Sequence, residues 1–357
     1  MRILGIETSC DETGAAVIET TSAPIRSGSD NKKVTLVSNV LASSLSLYSK
    51  TGGIIPETAA REQIKYIIPV INEAIEQCNN LTIGDIDAIA VTVGPGLIGS
   101  LLVGVETAKT LSYIWEKPII PVNHLFGHIY ANFVGENSNV KIQMSKAEDI
   151  EFPAVALVVS GGHTDLVLIK DHKKIKWLGG TRDDAAGEAF DKIGRLLNLP
   201  YPGGPAIEKA ALTGNTKKFI FPKPMIDSDD FDFSFSGLKT AVFREVKAMK
   251  QLSNETIADI AASVEEAIVD VLIYKTLKAA QKYKVKSILL GGGVGANQKL
   301  RDELILNTKY KIPNTEIFVP QKFLCTDNAA MIAAAAFYNY KPVEWKRINA
   351  NPELYFY

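Results

Sequence analysis

The sequence predicts an α/β protein built from two lobes with a cleft between them. Predicted strands alternate with predicted helices along the chain, which is typical of mixed or mostly parallel sheets covered by helices. Two strand–turn–strand hairpins, at residues 3–18 and 154–169, open the two halves of the chain, each with small and hydroxyl-bearing residues at its tip. This repetition predicts a duplicated architecture whose hairpin tips face the cleft and can cradle an anion such as phosphate.

The first lobe is predicted over residues 1–134. After its hairpin, residues 22–33 are a polar insertion and residues 34–41 a third strand. A glycine-rich turn at 51–57 opens a helix that runs to about residue 77. A buried strand at 86–93 then precedes a helix at 97–111. Residues 135–150 are polar and have no hydrophobic period, so we expect them to link the lobes.

The second lobe is predicted over residues 151–326. Turns at 183–192 and 201–208 each lead into a helix, and alternating phenylalanines at 231–239 predict a strand. A long helix covers 256–283, and a strand at 287–290 ends at a glycine-rich loop over 291–297. A very alanine-rich helix at about 328–340 is expected to pack back on the first lobe.

The composition restricts which classes of protein this chain can belong to. The 357 residues carry a formal net charge of −1, so a nucleic-acid partner would need local basic patches or a helper protein. Residues 217–250 contain a local cationic run, which fits either phosphate contacts or a solvated helix face. The three cysteines are far apart, and no apolar run of about 18 residues occurs. We therefore expect a cytoplasmic protein without a disulfide framework, a leader or a membrane contact.

A metal site is suggested by two of the four histidines, His124 and His128. On a helix their spacing puts both imidazoles on one face, roughly 6 Å apart, close enough to hold one ion. Asp327 opens the alanine-rich helix, which must be buried, and a buried carboxylate needs a partner. Two simpler interpretations stay open at this point: unrelated surface histidines, and Asp327 as an ordinary helix N-cap.

A nucleotide site is suggested by the glycine-rich loop at 291–297, which lies between a strand and a helix. Its glycines allow close approach of a base or phosphate, and Asn297 is expected to be free to hydrogen-bond. The spacing is not that of the dinucleotide fingerprint. Asp191 and Glu208 are candidates for hydroxyl contacts, with solvated carboxylates in the first turn of a helix as an equal alternative.

The motifs taken together resemble one known family. They occur in that family's order at residues 7–13, 53–57, 94–96, 123–128, 159–164, 191, 202–205, 292–297 and 325–328. The chain resembles the tRNA N6-adenosine threonylcarbamoyltransferases, in their bacterial TsaD-like form, over nearly its whole length. The resemblance implies the actin/Hsp70/sugar-kinase (ASKHA) fold, with duplicated lobes around a nucleotide cleft. It also implies transfer of the threonylcarbamoyl group of threonylcarbamoyl-AMP to N6 of the adenosine just 3′ of the anticodon, in tRNAs reading codons that begin with A.

The resemblance further implies a set of site residues and partners. One divalent metal ion, Fe2+ or Zn2+, would be held by His124, His128 and Asp327. The substrate would contact Val158, Val159, Ser160, Gly161, Gly162, Asp191, Gly204, Glu208 and Asn297. The predicted catalytic residues are Asp11, Glu12, Ser160 and His163. The expected partners are tRNA, threonylcarbamoyl-AMP, a TsaB-like paralogue that forms a heterodimer through the first lobe, and a TsaE-like P-loop ATPase.

The sequence also departs from the family and admits rival functions. Gln63, Phe126 and Gly295 replace the usual His, Glu and Ala or Ser, and we expect the first two in the surroundings of the metal. A kinase or ATPase of the same fold is disfavoured by metal-ligating histidines. A metalloprotease is disfavoured because Leu125 stands where a zinc protease has its glutamate. A non-catalytic scaffold paralogue is disfavoured because all three proposed ligands are present.

Overall fold

The computed structural model of the chain describes residues 1–20, 34–48, 53–78, 81–135 and 149–356. The predicted polar insertion at 22–33, the start of the predicted turn at 51–57 and most of the predicted linker at 135–150 lie outside the described residues. Within these ranges the chain forms one six-stranded and one five-stranded sheet with helices packed on both.

The six-stranded sheet contains the first predicted hairpin. Its strands are β1 Arg2–Glu7, β2 Glu12–Thr20, β3 Val34–Ser43, β4 Ala88–Gly94, β5 Ile119–Asn123 and β6 Val134–Gly135. β1, β2 and β3 form an antiparallel meander, and β4 and β5 extend it from β1 in parallel orientation. Parallel strands need long crossovers, and the helices between these strands supply them.

The five-stranded sheet repeats this arrangement. Its strands are β7 Ala154–Val159, β8 Thr164–Asp171, β9 Lys174–Gly180, β10 Ser287–Gly291 and β11 Glu316–Phe318. β7, β8 and β9 form the antiparallel meander, and β10 and β11 extend it in parallel from β7. The predicted α/β class and the predicted repetition of the hairpins are both confirmed.

The helices cover the outer faces of the sheets and fill the space between them. Their bounds are α1 Leu45–Tyr48, α2 Pro56–Glu76, α3 Ile98–Trp115, α4 His124–Tyr130, α5 Ala186–Leu196, α6 Gly203–Ala211, α7 Ser236–Ala248, α8 Asn254–Tyr283, α9 Gln298–Lys311, α10 Lys322–Cys325 and α11 Ala329–Tyr338. None of the helices in the described ranges is long and apolar enough to cross a membrane.

The core between the two sheets contains α11. Successive residues of β7 point alternately into two cores: Val158 faces the shared central core, whereas Val159 faces the core outside the second sheet. Every residue of α11 is buried, and the helix packs on β1, β2 and α4. A side chain at Gly5 of β1 would lie 2.2 Å from the carbonyl oxygen of Ala329, so this close approach requires glycine. Small residues on both partners therefore place the start of α11 directly against the sheet.

One predicted strand is wrong. Residues 231–239 form only an isolated bridge at Phe233, and α7 begins at Ser236. Phe231, Phe233 and Phe235 all point into the core that α5 and α8 cover, and the pairing with the edge strand β9 is limited to Phe233, whose N–H donates to Gly180. Alternation with a period of two indicates that this segment is extended and half-buried. It does not show whether the segment pairs in a sheet.

Candidate metal centre and active site

The two histidines lie on one face of α4, as predicted, with their ring centroids 4.6 Å apart. Asn123 ends β5 and caps the helix by accepting a hydrogen bond from the Leu125 N–H, so the helix begins at the first histidine. His124 is 6% exposed and His128 is fully buried. The interpretation as unrelated surface histidines is therefore wrong.

Asp327 meets both imidazoles. Its Oδ1 lies 3.5 Å from Nε2 of His124 and 3.4 Å from Nε2 of His128. One ligand atom from each of the three residues falls within 4.8 Å of the others, a spacing compatible with one metal ion. The N-cap interpretation of Asp327 is wrong, because the neighbouring Asn328 caps α11 by accepting from the Met331 N–H. The Asp327 carboxylate is thereby left to face the histidines.

The buried imidazole of His128 shows whether this group fits a cation. Its Nδ1 has no hydrogen-bond partner among the described residues, and its Nε2 is in contact with the Asp327 carboxylate at 3.4 Å, although the side chain is fully buried. Such an imidazole is costly unless something binds it. Burial lowers the pKa of His128, which keeps it neutral and able to donate a lone pair. The donor set of two imidazoles and a carboxylate fits a divalent ion with open positions.

Glu7 orients His124 from behind. The fully buried carboxylate lies 3.1 Å from Nδ1 of His124, and it accepts hydrogen bonds from the Ser9 N–H and the Thr92 hydroxyl. With Nδ1–H donated to Glu7, Nε2 faces Asp327 and becomes available to a metal ion when its proton is released. Burial opposes protonation of His124, but the Glu7 and Asp327 carboxylates outweigh it and raise its pKa to about 9. Sequence reasoning missed Glu7, although a carboxylate ending an apolar strand is a signal that could have found it.

Asp11 and Glu12, in the turn of the first hairpin, are close enough to Asp327 to interact with its charge. Burial raises the pKa of both carboxyls, that of Glu12 to about 7, and the charge of Asp327 adds to the effect. Gln63 holds this turn: its Nε2 donates to the backbone oxygens of Cys10 and Glu12 at 3.0 and 2.9 Å. Because this turn carries two carboxyls that interact with Asp327, Gln63 acts on the surroundings of the His124, His128 and Asp327 group through the backbone of the turn.

The other two departures from the family lie elsewhere. Phe126 packs against Phe356, with ring centroids 5.7 Å apart, on the C-terminal segment of the chain. The carbonyl oxygen of Gly295 accepts a hydrogen bond from the buried Arg301 side chain. Both residues therefore make contacts of their own, and the expectation that Phe126 belongs to the surroundings of the metal stays a prediction.

The tip of the second hairpin supplies exposed backbone. Gly161 and Gly162 are exposed, and a side chain at either would meet nothing within 4 Å. The Ser160 N–H already donates to the His163 carbonyl, and its hydroxyl accepts from the His163 N–H, so the tip is held by its own bonds. Val158 and Val159 are fully buried, which leaves only their backbone for a substrate. Burial lowers the pKa of His163 to about 4, with a further contribution from His124 and His128.

Two of the predicted nucleotide-binding residues, Asp191 and Glu208, each accept a hydrogen bond that joins two helices. Asp191 of α5 accepts from the Gly203 N–H at the start of α6, beside the open backbone of Gly204. Glu208 of α6 accepts from the Gln298 N–H at the start of α9. These bonds join α5, α6 and α9 around one region.

Asn297 differs from its predicted state. Its carboxamide oxygen caps α9 by accepting from the Leu300 N–H, and its Nδ2 donates to the buried Glu265 at 2.7 Å. The expectation of a free side chain is wrong. Sequence reasoning missed Glu265, because a single carboxylate inside the long helix α8 carries no local signal.

Comparisons with known proteins point to one family and to a related fold. The model of the family described as TsaD, tRNA N6-adenosine threonylcarbamoyltransferase, matches residues 35–334. A protein of that name from Syntrophomonas wolfei is 47% identical over 99% of this chain and 97% of its own length. One from Moorella thermoacetica is 46% identical over 99% and 96%. A crystal structure of HypF from T. kodakarensis has a TM-score of 0.60 at 14% identity, covering 95% of this chain but only 47% of HypF.

Proposed function

The chain belongs to the tRNA N6-adenosine threonylcarbamoyltransferase family, and from that premise we propose which of its residues carry each part of the reaction. The enzyme transfers the threonylcarbamoyl group of threonylcarbamoyl-AMP to N6 of the adenosine just 3′ of the anticodon, in tRNAs reading codons that begin with A, and AMP leaves. The observation that carries the site is the convergence of His124, His128 and Asp327 within electrostatic reach of His163.

These three side chains would hold one iron or zinc ion, with Glu7 fixing the ring of His124. Both metals accept imidazole and carboxylate ligands, so the donor set supports either. A divalent ion bound there would supply Lewis acidity toward the phosphate or carbonyl oxygens of the mixed anhydride. The chain's own contribution is to keep Nε2 of both imidazoles and one carboxylate aimed at the same point.

Proton removal is assigned to Glu12. The N6 amine attacks the carbamoyl carbon, the bond from that carbon to the phosphate oxygen breaks, and AMP leaves with the bonding electrons. The acyl group arrives activated, so no side-chain nucleophile is required. The attacking nitrogen must lose a proton, and a carboxylate whose pKa is about 7 is matched to that task near neutral pH. Asp11 would help to orient the amine.

The second hairpin is assigned to the acyl phosphate. The backbone N–H groups of Gly161 and Gly162 can donate to oxygens that gain negative charge as the anhydride breaks. Ser160 would keep the tip in shape through its bonds to His163. With its pKa lowered to about 4, His163 is neutral at physiological pH and can form a hydrogen bond without repelling a metal ion.

The AMP portion is assigned to the region joined by α5, α6 and α9. Asp191, Gly204 and Glu208 would contact its hydroxyl groups, and the backbone of Val158 and Val159 would line the approach. Asn297 would act chiefly by holding the start of α9, since both ends of its carboxamide are already bonded.

The arrangement of the two sheets supports the ASKHA fold. Its lobes would be residues 1–134 and 151–326, with α11 packing back on the first lobe. The two matching sheets and the likeness to HypF favour it, and full-length HypF has itself been solved in a phosphate- and nucleotide-bound form. The region joined by α5, α6 and α9 would then line the nucleotide cleft between the lobes. We propose the cytoplasm as the location, because that is where the tRNA substrate is found.

A paralogous partner would dock on the first lobe. α2 and α3 pack side by side, since a side chain at Gly99 would lie 3.2 Å from Cβ of Ala60. Their outward stripes expose Ile64, Ile68, Ile98 and Leu102, between 44% and 65% each. Such an apolar face is typical of an interaction site and suits the TsaB-like paralogue. A TsaE-like P-loop ATPase would complete the assembly.

Mass analysis of tRNA nucleosides after incubation with threonylcarbamoyl-AMP tests the function. The native chain, with its partners, should form the modified adenosine and release AMP in equal amounts. Asp327→Asn should reduce transfer at least a hundredfold, whereas Asp227→Asn, at an exposed carboxylate of the second lobe, should not. ATP cleavage in place of transfer would favour a kinase or ATPase, and no reaction at all would favour a scaffold.

A further inference from the structure

A cavity of about 330 Å³ lies between α5 and α7, outside the group formed by His124, His128 and Asp327. It is lined by Lys192, Arg195, Leu196, Lys239, Thr240 and Phe243. Three of these residues are cations with long apolar stems, and the other walls are a leucine, a threonine and an aromatic ring. We propose that this cavity binds an unpaired nucleotide of the tRNA next to the adenosine that is modified, an inference that rests on the proposed function.

The cavity is held in shape by two consecutive aspartates. Asp183 fixes the start of α7 by accepting from the N–H groups of Phe235 and Ser236. Asp184 bridges the helices: one oxygen accepts from Lys192 of α5 at 2.7 Å and the other from Lys239 of α7 at 3.1 Å. The two lysines are therefore oriented before any ligand arrives.

The bridging carboxylate does not use up the two lysines. The Asp184 side chain is only 14% exposed, whereas those of Lys192 and Lys239 are 37% and 32% exposed. An ammonium has three N–H donors. Lys192 also pairs with Glu188 of its own helix at 2.8 Å, so it keeps one donor for a phosphate on the solvent side, whereas Lys239 keeps two.

A stripe of two lysines and one aromatic ring extends from the cavity along the surface of α7. Lys239, Phe243 and Lys247 stand on successive turns, while Leu238 and Val242 anchor the opposite side of the helix in the core. Phe243 is 46% exposed, and the Lys247 ammonium lies 5.7 Å from its ring centroid. An exposed ring between cations offers stacking for a base and charge for its phosphates, which is how proteins bind unpaired nucleic acid.

The cavity also lies beside the proposed AMP region. Lys192 and Arg195 share α5 with Asp191, and the charge of Arg195 is near enough to lower the pKa of that carboxyl, although burial outweighs it. A side chain at Gly53, just before α2, would lie 3.7 Å from the Arg195 guanidinium. The cavity is therefore next to the segment that leads into α2 of the first lobe.

Charge favours RNA over an acidic protein segment. Beyond the cavity, Arg244 and Lys247 are exposed on the same helix, and neither forms an ion pair within the described part of the chain. Asp184 and Glu188 are both paired with Lys192, and the flat ring adds a stacking surface that a carboxylate-rich peptide would not use.

The test compares the double variant Phe243→Ala/Lys247→Ala with a matched control, Tyr310→Ala/Lys311→Ala. The control removes an exposed aromatic ring and an exposed lysine from the far end of α9. Transfer is measured in the subunit mixture that supports the native chain, with tRNA and threonylcarbamoyl-AMP varied in turn. Binding of a labelled anticodon stem-loop is measured in the same mixture at several KCl concentrations.

The double variant should raise the KM for tRNA and the stem-loop Kd about tenfold or more, since loss of one stacked base has this effect. Its KM for threonylcarbamoyl-AMP and its kcat should stay within about twofold of native. The slope of log K against log salt should fall by about one for the lost lysine. Phe243→Trp should bind as tightly as the native chain.

Three results would overturn the proposal: a native KM for tRNA in the double variant, equal losses in variant and control, or lost binding of a partner subunit with unchanged stem-loop affinity. The last outcome would make the stripe a protein-docking face. If the native mixture binds the stem-loop through this stripe but transfers nothing, the proposed function fails and the cavity assignment stands.

Discussion

Gly291→Ala should damage the metal centre without touching a ligand. Gly291 ends β10, and a side chain there would lie 2.4 Å from the carbonyl oxygen of His128. Ordinary contacts begin at 3.4 Å, so β10 and α4 must separate by roughly 1 Å. α4 has no room to retreat on its other side, since a side chain at Gly127 would already lie 2.7 Å from Ile332 of α11.

The size of the effect follows from that displacement. Overpacking of a filled core costs about 1–3 kcal/mol, which corresponds to a fall of a few degrees in Tm. Metal–ligand distances tolerate only about 0.2 Å, so moving His128 by a substantial fraction of 1 Å should weaken metal binding at least tenfold. Transfer should fall in parallel, because the proposed mechanism uses the ion.

The assay is a titration with Zn2+ by calorimetry, together with thermal unfolding of the metal-free protein. Gly293→Ala is the matched control, because a side chain at this neighbouring glycine would meet nothing within 4 Å. The control should keep native metal affinity and Tm. If Gly291→Ala binds Zn2+ as tightly as the native chain, the packing of α4 between β10 and α11 does not position His128, and this reasoning is refuted.

Three further outcomes are expected. Glu7→Gln should weaken metal binding about 10–100-fold, measured by the same titration, because the carboxylate orients His124; native affinity would contradict this role. The transfer rate should rise with pH through about 7, because Glu12 accepts a proton only when ionised. Glu12→Gln should abolish this rise, and an unchanged profile would exclude Glu12 as the base. Tyr355→Phe removes a hydrogen bond to the fully buried Asp165 and should lower the free energy of unfolding by about 1–3 kcal/mol in urea denaturation, whereas an unchanged midpoint would show that this bond contributes nothing.

Local spacing explains which parts of the site could be predicted. His124 and His128 are one helical turn apart, so their common face follows from helix geometry alone once the segment is helical. Asp327 could be added because an alanine-rich helix has to be buried, whatever surrounds it. The repeated hairpins were likewise readable from strand patterns, and the two matching sheets follow from them.

Non-local contacts explain what could not be predicted. Glu7 and His124 are 117 residues apart, and Asn297 and Glu265 are 32 apart. No periodic pattern encodes either hydrogen bond. The phenylalanines at 231–235 show the reverse case, in which the pattern was real but the segment pairs with the neighbouring β9 at one residue only, so no strand forms.

The α/β class, the duplication and the residue types of a His-His-Asp group follow from composition or from spacing along one element. In contrast, three features arise from packing in three dimensions: Asn328 rather than Asp327 caps α11, Glu7 orients His124, and Asn297 is already bonded. These outcomes depend on which side chains from distant segments meet in the buried interior. There, every polar group requires a partner, and the packed fold decides which partner it finds.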